Sequence, residues 1–230
     1  VELDYKFDSE ACWYNIICPE FGTESCANGC LRHLEMSHLM NNALIPKKLQ
    51  KRHDLIPYEI DEPAFDLLND VKKNIFEFVK NGENLYIFSE TCGNGKTTWA
   101  IKLLQSYFDK VWYGNRFKTR GLYVNQSTFL VDLRKRMFKK EESSEDIENL
   151  IYSVDLVVWD DIGASNLKDF DFLNMYSIID YRLANGLSNI YTSNLSQDDF
   201  VKSLGKKLYS RICKSSIAVE FKGDDRRGEC

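Results

Sequence analysis

The feature that most restricts the fold is the run Ser89-Glu-Thr-Cys-Gly-Asn-Gly-Lys-Thr-Thr98, entered directly from the apolar stretch Leu85-Tyr-Ile-Phe88. Apolar spacing predicts a helix from Lys96 onward, so strand, glycine loop and helix occur in the order a phosphate cradle requires. Gly93 and Gly95 let successive backbone N–H groups turn towards a β-phosphate. Lys96 can reach the β- and γ-oxygens, Thr97 can ligate Mg²⁺, and the positive end of the helix favours the anion. Thr91, Cys92, Gly93, Asn94, Gly95, Lys96, Thr97 and Thr98 are the candidate nucleotide-binding residues. One position departs from the spacing G-x-x-x-x-G-K-[ST]. Glu90 stands at its first glycine, adding a Cβ and a negative charge, which predicts weaker anion binding.

The rest of the chain agrees with an α/β reading. Nearly uninterrupted apolar strands are predicted at 84–89, 121–126, 154–160, 189–193 and 217–221, as in a parallel sheet covered on both faces. Helices are predicted at 63–81, ended by Asn81-Gly82, and near 96–108, 127–140, 168–185 and 196–214. The acidic run Glu141-Glu-Ser-Ser-Glu-Asp146 reads as a solvated loop and helix start. Residues 61–230 make one domain, 46–60 a linker with basic residues and prolines, and 1–45 a small front module. In that module Leu31, Leu34, Leu39 and Met40 fall near one helical face. No apolar run approaches the ~18 residues of a membrane span, and the N-terminus lacks a signal pattern, so the expected location is cytoplasmic. With 30 Lys and Arg against 35 Asp and Glu, the surface as a whole is no sleeve for duplex nucleic acid; any such partner must meet a local patch.

A second motif completes the chemistry. Asp155-Leu-Val-Val-Trp-Asp-Asp-Ile-Gly163 is an apolar strand that delivers two carboxylates at its C-terminal edge, where open α/β sheets bind ligands. Asp160 is placed to hold Mg²⁺ through water, and Asp161 to orient or deprotonate an attacking water. Strand Asn189-Ile-Tyr-Thr-Ser-Asn194 ends in Asn194, a candidate contact for the γ-phosphate or that water. Arg211 lies in a late helix ahead of the last strand.

Together these residues resemble the AAA+ ATPases, and within them the DnaC/DnaI-type replicative helicase loaders, over roughly residues 60–227. The matching segments are Gly93-Asn-Gly-Lys-Thr97 (Walker A), Val157-Val-Trp-Asp-Asp-Ile-Gly163 (Walker B), Thr192-Ser-Asn194 (sensor 1) and Ser210-Arg-Ile212 (arginine finger). The resemblance implies a five-stranded parallel sheet in the order 5-1-4-3-2, ATP and Mg²⁺ as cofactors, and self-association through the ATPase interface; the chain departs from the family in offering no room after residue 221 for the helical lid domain. It also implies a hexameric replicative helicase and single-stranded DNA as partners, and a finger role for Arg211 in a neighbouring subunit. The front end looks like the zinc-containing region of DnaI-like loaders, notably phage versions.

Cys12, Cys18, Cys26 and Cys30 crowd into that front end at spacings x₅, x₇ and x₃, with His33 and His38 as spare donors. Without an export signal a metal site is a better reading than disulfides, and four thiolates suit a tetrahedral Zn²⁺, with ordinary reduced cysteines or an iron–sulfur cluster as the alternatives. Between Lys110 and Lys140 nine Lys or Arg meet one acid, Asp132, interleaved with aromatic residues. That combination suits single-stranded nucleic acid, with Arg134 and Lys135 as candidate contacts; the competing reading is a solvated helix face over a buried one. The function expected is ATP-dependent loading of a helicase. Alternatives are an IstB-like transposition or initiator-type ATPase, a small-molecule P-loop kinase, and a non-catalytic adaptor disabled at Glu90.

Overall fold

The computed structural model describes residues 12–14, 18–23, 26, 30–50, 55–139, 145–164 and 167–225. Linker residues 51–54, residues 141–144 of the acidic run and the Arg226-Arg227 tail lie outside them, as do the side chains of 136–139, 145 and 146. Strands β1 (Asn84–Phe88), β2 (Gly121–Asn125), β3 (Leu156–Asp160), β4 (Ser188–Ser193) and β5 (Ile217–Glu220) form one parallel sheet in the order β2-β3-β4-β1-β5. Read from its other edge this is 5-1-4-3-2, the expected order.

Strand residues feed both faces alternately, which is why the apolar runs lack polar interruptions. Leu85, Ile87, Tyr123, Val158 and Ile190 join the core beneath α1 (Leu31–Asn42), α2 (Glu62–Lys73), α3 (Ile75–Lys80) and α4 (Lys96–Val111). Tyr86, Leu122, Val124, Trp159 and Tyr191 join a second core beneath α5 (Gln126–Lys139), α6 (Glu145–Ser153), α7 (Asp169–Ala184) and α8 (Gln197–Cys213). No helix among the described residues is long and apolar enough to cross a membrane.

Three details differ from the sequence reading. The helix expected over 63–81 is broken at Asn74 (φ −102°, ψ 17°), whose backbone and side-chain nitrogens both donate to the Asp70 carbonyl at 3.1 Å. That local bond competes with continued helix. Helix α8 carries a kink at Gly205 (φ 79°, ψ 157°), a conformation that suits glycine. In α1 the buried face is not the one expected: Leu39 and Met40 are buried, but so are His33, Glu35 and Met36, while Leu31 is 50% and Leu34 37% exposed.

The same rotation ties the front end to the main core. Tyr14, Met36, Leu39, Met40, Ala43 and Ile45 belong to one apolar cluster with α2, α3 and α4. The Tyr14 hydroxyl donates to Asp109 on α4 at 2.5 Å, and the Arg32 guanidinium lies 3.5 Å from the centre of the Tyr14 ring. The Ala43 carbonyl accepts from the Tyr123 backbone N–H at 2.7 Å, so the segment after α1 covers part of the outer edge of β2.

Candidate active site

In a parallel α/β sheet the C-terminal ends of the strands and the N-termini of the following helices converge on one side. Here the loop between β1 and α4 wraps that side. Gly93 (φ 75°) and Gly95 (φ 99°) take left-handed conformations that a side chain would strain, and Gly95 caps α4 without any side-chain bond to the helix N-terminus. The first backbone N–H groups of this 16-residue helix belong to the class that a bound anion can satisfy. Glu90 has no positive φ, so its Cβ is accommodated, and its side chain is exposed. The expectation that Glu90 burdens the phosphate loop meets this geometry: the position makes no demand for glycine, and the charge sits in solvent.

Lys96 is 6% exposed and donates to the Thr91 carbonyl at 2.7 Å and to Asn94 Oδ1 at 2.9 Å. Asn94 in turn donates to Ser89 Oγ at 2.7 Å. These bonds hold the amine at the mouth of the loop.

A chain of hydrogen bonds runs from this loop across β3 to β4. Thr97 Oγ1 donates to Asp160 Oδ1 at 2.7 Å, and Thr192 Oγ1 donates to the same oxygen at 2.8 Å. Tyr123 donates to Asp160 Oδ2 at 2.6 Å. The backbone N–H of Asp161 donates to Thr192 Oγ1 at 3.0 Å, and Asn194 Nδ2 donates to Asp161 Oδ1 at 2.7 Å. Asp161 sits at φ 58°, an uncommon conformation for a residue with a side chain, held by these two bonds. Burial and the charge of Asp160 raise the pKa of Tyr123, so the phenol keeps its proton.

These groups surround a cavity of about 390 Å³, lined by Gly93 to Thr98, Leu49, Tyr123, Asp160, Asp161, Thr192 and Asn194. Among the sequence-derived candidates the structure brings together the loop residues 93–98, Asp160, Asp161 and Asn194. Thr91 contributes its carbonyl to Lys96, and Cys92 is exposed. The hydroxyl of Thr97 beside a carboxylate oxygen of Asp160 is an all-oxygen donor pair that fits a hard cation such as Mg²⁺. Tyr123 and Thr192 were not expected as polar partners of Asp160. Register could have found the first: Tyr123 shares a strand face with Asn125, which pairs with Asp160.

Other candidates fall elsewhere. Arg211 on α8 does not line the cavity and pairs with Asp180 at 2.8 Å. Arg134 forms a two-pronged ion pair with fully buried Asp171 on α7, its Nε donating to Oδ1 at 2.9 Å and its Nη2 to Oδ2. Lys135 is exposed and pairs with Asp132 at 3.3 Å. Zinc finds no support: among the described residues no three or more Cys, His, Asp or Glu side chains gather as a metal cluster. Cys12, Cys18, Cys26 and Cys30 are free thiols, with Cys12 and Cys18 packed on the apolar core.

No protein-family model and no curated protein matches the chain. Solved structures do match. The DnaC helicase loader is 21% identical with a TM-score of 0.61, covering 76% of this chain and 96% of that one. DnaI is 18% identical with a TM-score of 0.60, covering 80% and 95%. The chain has the AAA+ fold. A further structure with a similar AAA+ domain is the replication initiator DnaA bound to AMPPCP and single-stranded DNA, 18% identical with a TM-score of 0.57, covering 82% of this chain and 50% of that one. The cavity lies where this sheet presents its glycine loop, its paired carboxylates and the polar end of β4.

Proposed function

We propose that this chain binds ATP with Mg²⁺, hydrolyses it at an interface between subunits, and loads a hexameric replicative helicase onto single-stranded DNA. The observation that carries the ATPase part is the continuous relay Thr97–Asp160–Thr192–Asp161–Asn194 beside a glycine loop. The loader part is supported by likeness of fold to the DnaC helicase loader and DnaI.

In this reading Lys96 leaves the Thr91 carbonyl and Asn94 for the β- and γ-oxygens, which bind it more strongly because they are charged. Thr97 and Asp160 hold Mg²⁺, which when bound neutralises charge on the phosphates. Asp161, aimed by Asn194 Nδ2, accepts a hydrogen bond from the attacking water and takes its proton. Arg211 serves a neighbouring subunit: its fixed fork leaves Asp180 for the γ-phosphate of the adjoining site. The front end, residues 1–45, meets the helicase. Single-stranded DNA binds the positive segment around Lys135. Zinc has no part in this proposal.

The test is hydrolysis by the purified chain with and without helicase and DNA. Free phosphate is expected, rising per subunit with protein concentration. Asp161→Asn should retain ATP while losing turnover. Subunits carrying Arg211→Ala mixed with subunits carrying Asp161→Asn should recover activity. Phosphate transferred to an acceptor, or no recovery in mixed assemblies, would remove the ATPase reading or the trans role of Arg211 respectively.

A further inference from the structure

The Asp160 carboxylate has three donors, and their arrangement is unequal. Oδ1 receives both threonine hydroxyls, Thr97 at 2.7 Å and Thr192 at 2.8 Å, whereas Oδ2 receives Tyr123 alone at 2.6 Å. Each threonine hydroxyl has one proton. Thr192 Oγ1 accepts from the Asp161 N–H, so its proton goes to Asp160; Thr97 spends its proton on the same carboxylate, leaving oxygen lone pairs for a cation. The orientation of the carboxylate plane is therefore set from two sides, by the threonines on one oxygen and by the phenol on the other.

Tyr123 is well placed to help set it. Its ring is 7% exposed within the core between β2 and α4, and its backbone N–H is held by the Ala43 carbonyl at 2.7 Å. Fixed at both ends, the side chain reaches along β2 towards the last residue of β3.

We infer that Tyr123 is a positioning residue for the cation site: its hydroxyl pins Asp160 Oδ2, so that Oδ1 stays turned towards Thr97. The hydroxyl proton of Tyr123 is spent on Asp160, so the phenol acts on the site through that carboxylate. Without the phenol the carboxylate can rotate, and Oδ2 seeks a donor elsewhere because an unpaired buried acceptor is costly. The inference rests on the nucleotide-binding reading above.

The experiment measures binding in the full chain. The affinity for AMPPCP is determined by calorimetry in EDTA and in excess Mg²⁺, for the wild type and for Tyr123→Phe, which keeps the ring. The wild type should bind more tightly with Mg²⁺. Tyr123→Phe should leave the metal-free affinity within about twofold and reduce the Mg²⁺-dependent gain about tenfold, the size expected for one hydrogen bond to a charged group. A ring that served packing alone would shift the melting midpoint and leave that ratio unchanged. If Tyr123→Phe folds poorly, Thr192→Val removes a donor from the other oxygen and carries the same expectation. An unchanged Mg²⁺ gain in a folded variant overturns the role of Tyr123 and leaves the nucleotide site intact. A wild type that binds no AMPPCP under either condition overturns both.

Discussion

The two ends of the sheet both bury polar side chains, and they differ in how those groups are satisfied. At the strand starts, fully buried Arg182 donates to Asn189 Oδ1 and to the carbonyls of Ile151, Val154, Asp155 and Ser188, at 2.6 to 3.4 Å. Asn189 is tied further to Asn84 and Trp159. Burial lowers the Arg182 pKa to about 10, which still leaves it charged at neutral pH. At the strand ends, Asp160, Asp161, Thr97 and Lys96 open into a cavity, with carboxylate and hydroxyl lone pairs facing it. A polar cluster closed on itself holds elements together; one with a cavity beside it and charges of both signs has something left to bind.

The largest effect should come from the closed end. Arg182→Met removes the guanidinium donors from buried carbonyls at the end of α6, in the turn before β3 and at the start of β4, and unfolding free energy should fall by roughly 3–5 kcal/mol. Urea titration reads it, and the fraction still folded should bind ATP with unchanged affinity. Lys96→Ala should do the reverse: ATP affinity falls by about 100-fold or more, as expected when a cation facing phosphate is lost, while the urea midpoint hardly moves. If either variant disturbs both properties equally, the division between the two ends is wrong.

A third variant sharpens the comparison on the α5–α7 side. Arg134→Ala strips buried Asp171 of its cation and should lower the melting midpoint by several degrees at pH 7. The guanidinium holds the Asp171 carboxyl below its ordinary value. Its stabilisation is therefore present above the ordinary carboxylate range and disappears as pH falls through the depressed value, so wild type and variant should converge in acid. Lys135→Ala separates stability from binding. It should leave the melt unchanged, and weakened, less salt-dependent binding of single-stranded DNA would assign the segment a nucleic-acid role. The smallest effect is expected for Glu90→Gly, within about twofold in ATP affinity; a larger gain would show that the exposed carboxylate still acts on the phosphates.

Local signals in the chain were enough for much of this protein. Apolar strands, the Gly93-Asn-Gly95 turn and the helix after Lys96 are written within a few residues of one another, as is the Asp160-Asp161 pair at the end of β3. The sheet order followed from the family resemblance those motifs carry. What spacing could not reveal depends on contacts between residues far apart in sequence. The face that α1 buries was misread because Leu31 and Leu34 compete with Met36 on a weakly patterned helix, and only packing against α4 chooses between them. Arg134 looked like a solvated cation because its partner Asp171 is 37 residues away.

By itself the sequence determined that a glycine loop and two carboxylates would meet at one edge of a parallel sheet, since strand direction and loop chemistry are local properties. Only the tertiary structure decided how Asp160 is held. Tyr123 and Thr192 reach it from strands on either side, across 37 and 32 residues of chain. Hydrogen bonds of that kind depend on register and packing, which arise when distant segments are brought together and so leave no periodic trace in the sequence.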